Sequence, residues 1–149
     1  MKKIKAFMLA GAVLSLVAVS AACAGAATPQ KALDNLIDAF NKRDTEAIAD
    51  ACLPAETDAA LYALLLTGLR STAESILSVT VTTYSLRDVR EDGGLAVGTL
   101  TLGITVQEER EDGSTVTKPY DDIDVGKIYF TKLSGRWYVN ADFFLELLG

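Results

Sequence analysis

The spacing of apolar positions changes twice along this chain, and each change marks a different kind of element. Residues 6–19 form an uncharged apolar run behind Lys2, Lys3 and Lys5. Further on, Leu33, Leu36, Ile37 and Phe40 recur at helical spacing, with Lys31, Asp34, Asn35 and Asp38 on the other sides, which predicts an amphipathic helix. Thr28-Pro29 supplies its start, a hydroxyl to cap the first amides and a proline where the missing N–H costs nothing. Asn41-Lys42-Arg43-Asp44 breaks the run, and Asp44 or Thr45 can cap a short second helix carrying Ala47, Ile48, Ala51 and Cys52, ended by Pro54. A third helix is expected over residues 56–76. Its middle, residues 59–66, is apolar on nearly all sides, which predicts the most buried helix of the three.

After Ile76 the period falls to two. Leu77, Val79 and Val81 alternate with Ser78, Thr80 and Thr82, and later Leu100, Leu102, Ile104 and Val106 alternate with Thr99, Thr101, Gly103 and Thr105. Each strand thus presents one apolar and one threonine-lined face. Asp92-Gly93 and Asp112-Gly113 are hairpin turn pairs. A third strand is expected over Thr115 to Leu133, bent or bulged near Pro119 and Gly126, and a fourth over residues 136–144 after Ser134-Gly135. Helices followed by a one-sided sheet can bury both apolar surfaces only by stacking. The expected class is therefore α+β in two layers, three N-terminal helices packed on a curved four-stranded antiparallel meander. The tail Phe143-Phe144-Leu145-Glu146-Leu147-Leu148 is apolar enough to fold back on the body or to meet a partner.

The front of the chain reads as an export signal, since positive charge, a short apolar run and then small residues follow one another in that order. Ser20-Ala21-Ala22-Cys23 resembles the lipobox of bacterial lipoproteins, with Ser20 where that pattern usually has leucine. This resemblance implies a signal peptide over residues 1–22, acylation of Cys23, a spacer to residue 27 and one domain over 28–149. The address would be the extracytoplasmic face of the cell envelope, with the membrane as partner through the N-terminal lipid. Two other readings stay open. Ala22-Cys23-Ala24 and Ala24-Gly25-Ala26 fit a cleavage site for free secretion, and the absence of charge from residue 6 to residue 30 leaves room for an uncleaved anchor.

Removing residues 1–22 takes away three lysines and no acid, which leaves 127 residues with 11 basic and 20 acidic side chains, a formal charge of −9. Such a domain repels phosphate backbones, so nucleic acid is not an expected partner. The chain has no histidine, which removes the Ser-His and Cys-His nucleophile classes and the commonest transition-metal ligand. With Cys23 acylated, Cys52 has no partner for a disulfide and is expected as a buried apolar residue. No metal and no cofactor is expected.

Two local stretches carry a wider resemblance. Ala39-Phe40-Asn41-Lys42-Arg43-Asp44-Thr45-Glu46-Ala47-Ile48 is similar to the helix, Asn-x-x-Asp turn and second helix of the nuclear-transport-factor-two-like superfamily, and Ser134-Gly135-Arg136-Trp137-Tyr138-Val139 is similar to its final hairpin. The resemblance implies a cone-shaped fold of the cystatin/nuclear-transport-factor-two-like kind, and within it the small lipoproteins with a domain of unknown function. It does not imply the isomerase chemistry of some members. The position of their tyrosine donor falls on Leu36, and the third helix occupies the region of their aspartate base.

Tyr120-Asp121-Asp122-Ile123-Asp124 is the densest acidic cluster; on a regular strand Asp122 and Asp124 share a face and Asp121 points away, which describes a solvated edge better than a Ca²⁺ site. Asp142, with Tyr138 and Asn140 on its side of the last strand, is the other polar set, a candidate for base and donor, and Asp124 is a further candidate base. Tyr62, Tyr84 and Tyr129 are expected in packing roles. The expected function is that of an exported, lipid-anchored, non-enzymatic protein binding a small apolar ligand or an envelope protein. The alternatives are a small isomerase or dehydratase with an Asp base, and a structural module that dimerises through the sheet face.

Overall fold

A computed structural model describes residues 26–53, 59–71 and 78–140 of the chain. Helix α1 spans Pro29–Asn41, and the hydroxyl of Thr28 accepts from the Lys31 amide at 3.1 Å to start it. Leu33, Leu36 and Ile37 are buried on its inner side as their spacing requires, joined by Ala32 and Ala39. The chain turns at Arg43, whose φ is 61°, and Asp44 then caps α2 (Thr45–Cys52) by accepting from the Ala47 amide at 3.0 Å. Pro54 lies outside the described residues.

Helix α3 spans Ala59–Ser71. It is not the most buried helix. Leu65 and Leu69 enter the core, but Leu61 is 42% and Leu64 70% exposed. An all-round apolar sequence says that a helix can be covered on several sides; how many neighbours arrive is decided by the rest of the fold, and among the described residues α2 is its main helical neighbour.

Four antiparallel strands follow in the order of the chain: β1 (Val79–Asp92), β2 (Leu95–Glu109), β3 (Thr115–Leu133) and β4 (Arg136–Val139). The meander is joined at Asp92-Gly93, at Asp112-Gly113 and at Ser134-Gly135, where Gly93, Gly113, Ser134 and Gly135 all take positive φ. The expected last residues of the fourth strand, 141–144, lie outside the described residues. Together these elements make an α+β structure with three helices and an open four-stranded sheet.

The helices cover one face of the sheet and chiefly one end of it. Ala96 pairs with Phe130, Phe130 with Val139, Lys132 with Trp137 and Leu86 with Leu100. Phe130, Ile128, Leu100, Trp137 and Val139 are all buried there, against Leu33, Ile48 and Leu69 of the helices. Towards the β2–β3 turn the burial thins, Ile104 and Val106 being half-buried and almost every residue from Gln107 to Tyr120 exposed or half-exposed.

The pairing is interrupted four times, on β1 between Val81 and Thr83 and between Arg87 and Arg90, and on β3 opposite Leu100/Thr101 and opposite Leu102/Ile104. The bend expected near Gly126 is there, with φ 86°, whereas Pro119 pairs regularly with Thr105 and the second irregularity falls on Asp121-Asp122 instead. A proline sits in a regular strand when its missing N–H faces away from the neighbour. The glycines of β2 lie opposite these bulges. A Cβ on Gly98 would stand 2.6 Å from Leu86 Cδ1, and one on Gly103 would overlap Thr83 Oγ1.

Asn41 fastens the helix layer to the outer strand. Its side-chain amide donates to the Val81 carbonyl at 2.8 Å and its carbonyl accepts from the Val81 amide at 2.9 Å, so the side chain pairs with β1 as another strand would. Arg43 adds a donation to Thr80 Oγ1 at 3.0 Å.

Candidate functional site

Asp124 and Tyr138, the described residues expected for acid–base chemistry, stand apart from one another. Asp124 is exposed, faces Thr101 across the pairing and accepts from the Gly126 amide at 3.0 Å, which holds the bulge in place. Tyr138 lies opposite Thr131 on β4. Asp124 and Thr131 are separated along β3 by roughly 20 Å at the usual rise per residue, so these two candidates cannot act on one substrate atom. Asp142 lies outside the described residues.

The acidic cluster also differs from the alternation expected of it. The extra residue at Asp122, with φ 55°, shifts the period by one. Asp121 consequently lies over Gly103 beside Thr83, on the same face as Asp124 opposite Thr101. Among the described residues no three His, Cys, Asp or Glu side chains are placed to hold a metal ion. Asp121 and Asp124 thus stand together on the outer face.

Cys52 is buried, and loss of solvation pushes its thiol up to about 12, the condition of a packing residue and not of a nucleophile. Two phenol–carboxylate pairs went unnoticed in the sequence. Tyr62 donates to Asp50 at 2.7 Å and Tyr84 to Asp34 at 2.8 Å. Burial first, and then the bonded carboxylate, raise the Tyr62 hydroxyl to about 12, and the same two causes raise Tyr84. Both phenols are thereby held as donors to fixed partners. Partners separated by 12 and 50 positions leave no local spacing to find them by.

What remains is a surface. Thr83, Ser85, Thr99, Thr101 and Thr105 line the face of the sheet turned away from the helices, as the alternation requires. At the packed end of this face Val97 pairs with Tyr129, Leu95 with Thr131 and Thr131 with Tyr138. Leu95 is 62% and Tyr129 50% exposed. The sequence had suggested Tyr129 for packing; its ring instead stands on the open face.

No family model matches the chain, and no characterised protein sequence matches it significantly. One solved structure that does match is the solution structure of RPA3114, a SEC-C motif containing protein from Rhodopseudomonas palustris, at 17% identity over 78% of this chain and 77% of that one, with a TM-score of 0.47. The identification as a nuclear-transport-factor-two-like lipoprotein is corrected: no family model matches the chain, and the solved structure found is that of a SEC-C motif containing protein. The two stretches that carried that identification are short and serve general needs. A capped turn between helices and a Ser-Gly hairpin before an inward tryptophan suit many helix-on-sheet proteins.

Proposed function

We propose that the chain is an exported, non-enzymatic binding protein, held to a membrane through acylated Cys23, that engages a protein partner on the outer face of its sheet. The observation that carries this reading is the threonine face, turned away from the described helices, with Leu95 and Tyr129 exposed at one end. Interfaces are enriched in aromatic side chains that present a broad apolar surface with one polar atom, and hydroxyl-bearing neighbours supply hydrogen bonds around them. The dispersal of Asp124 and Tyr138 supports binding over reaction, because acid–base catalysis needs its groups within hydrogen-bond reach of one substrate.

A photo-crosslinking residue placed at Thr101 or Tyr129 in the full chain, expressed in its envelope, tests the surface. A discrete protein adduct from these positions and none from Leu64 is expected; adducts of equal yield from Leu64 would contradict the assignment. The anchor is tested by a fatty-acid probe, whose incorporation should be lost in Cys23→Ala.

A further inference from the structure

The first described residue is pinned to the sheet. Ala26 is 2% exposed, forms an antiparallel bridge with Trp137 and accepts from the Trp137 amide at 2.9 Å. Only Ala24 and Gly25 separate it from Cys23. Three steps of chain span at most about 10 Å, so an acyl group on Cys23 has no long tether, whichever way the chain runs. The domain would be held against the bilayer by the part of its surface around Ala26.

The sheet itself differs in charge from one end to the other. At the end of the sheet holding the β1–β2 and β3–β4 turns stand Arg87, Arg90, Lys127, Lys132 and Arg136 against Asp88, Glu91 and Asp92, a net charge of +2. Lys132 is the pairing partner of Trp137, with its ammonium 5.5 Å from the ring centre, and Arg136 precedes Trp137 in the chain. The other half holds Glu108, Glu109, Glu111 and Asp112 around the β2–β3 turn and Asp121, Asp122 and Asp124 on β3, against Arg110 and Lys118, a net charge of −5. The β2–β3 turn is roughly 50 Å from Lys132 at strand rise. This far exceeds the ~8 Å screening length of physiological salt. An anionic membrane attracts one end of this sheet and does not feel the other.

We infer that the acylated domain stands on an anionic lipid surface on its β3–β4 end, with Lys132 and Arg136 against the headgroups and the acidic β2–β3 end pointing away. The inference rests on the proposed acylation of Cys23 and adds to it an orientation and a headgroup chemistry. It also leaves the outer sheet face upright and open to a partner.

Trp137 is the sole tryptophan and reports on this geometry directly. The full acylated chain is placed in vesicles of phosphatidylcholine with phosphatidylglycerol, with and without a lipid carrying a nitroxide on its headgroup. Quenching of Trp137 by the nitroxide lipid is expected. It should fall at least about twofold in the Lys132→Glu/Arg136→Glu variant, since each basic group near an anionic surface strengthens attachment about fivefold. A long Gly-Ser insertion between Ala24 and Gly25 should lower it as well, while leaving fatty-acid labelling intact. A labelled chain whose Trp137 is unquenched, or quenched equally in all variants, overturns the orientation and leaves the anchor standing. A chain that takes up no label overturns the anchor and the orientation with it.

Discussion

The two ends of the sheet share the long strands β2 and β3, yet they are held by different forces. At the packed end Phe130, Ile128, Leu100 and Trp137 are buried beneath the helices, and Asn41 clamps β1 at the boundary between the two ends, at Val81 opposite Ile104. Beyond Ile104 on β2 and before Ile123 on β3 the strands have, among the described residues, mainly each other, with exposed charges and the ion pair of Lys118 with Glu108 on the surface. The difference shows that strand length alone does not measure stability. Backbone pairing continues along β2 and β3 for the full length of the meander, while the hydrophobic contribution is confined to one half.

The largest effect should come from the packed end. Phe130→Ala removes a fully buried ring and should cost about 3–5 kcal/mol, whereas Val116→Ala at the open end should cost under about 1 kcal/mol. Denaturant midpoints of the two variants would measure the contrast, and equal losses would break it. Next comes the clamp. Asn41→Ala leaves both backbone groups of Val81 without their partner and should cost about 1–3 kcal/mol, read from the same unfolding curves.

The third effect depends on pH. The Cys52 thiol rises from 9.0 to about 12 and the Tyr62 phenol from 10.0 to about 12 in the folded chain. Both groups hold their proton more tightly folded than unfolded, so their contribution is complete below pH 9 and is lost as pH climbs towards 12. Unfolding curves taken across that range should show stability falling, and the fall above pH 9 should diminish in Cys52→Ala. Alkylation of Cys52 at neutral pH should likewise wait for unfolding. The smallest effect belongs to the open end: Lys118→Ala breaks an exposed ion pair, with side chains 52% and 44% accessible, and should change stability by less than about 1 kcal/mol.

The sequence revealed those features that depend on neighbours close in the chain. Thr28 and Asp44 stand where a cap must, the Asp-Gly pairs turn the meander, and the alternation after Ile76 separates an apolar face from a threonine face. Features that depend on which distant residue arrives were hidden. The bulge at Asp121-Asp122 exists only relative to Gly103, and it reverses which of the three carboxylates share a face. Asn41 looked like a helix stop and turned out to be a strand partner 40 positions away. The exposure of Leu64 follows from how few of the described elements cover α3, which no helical period records. The candidate site suffered in the same way, because Tyr62, Tyr84 and their carboxylates meet only in the fold.

Hydrogen exchange of individual backbone amides in the folded chain tests the division of the sheet most directly. The account predicts that amides of Leu100, Ile128 and Phe130 exchange only through global unfolding, while those of Gln107 and Val116 exchange through much smaller local openings. Equal protection at both ends of β2 and β3 would contradict it.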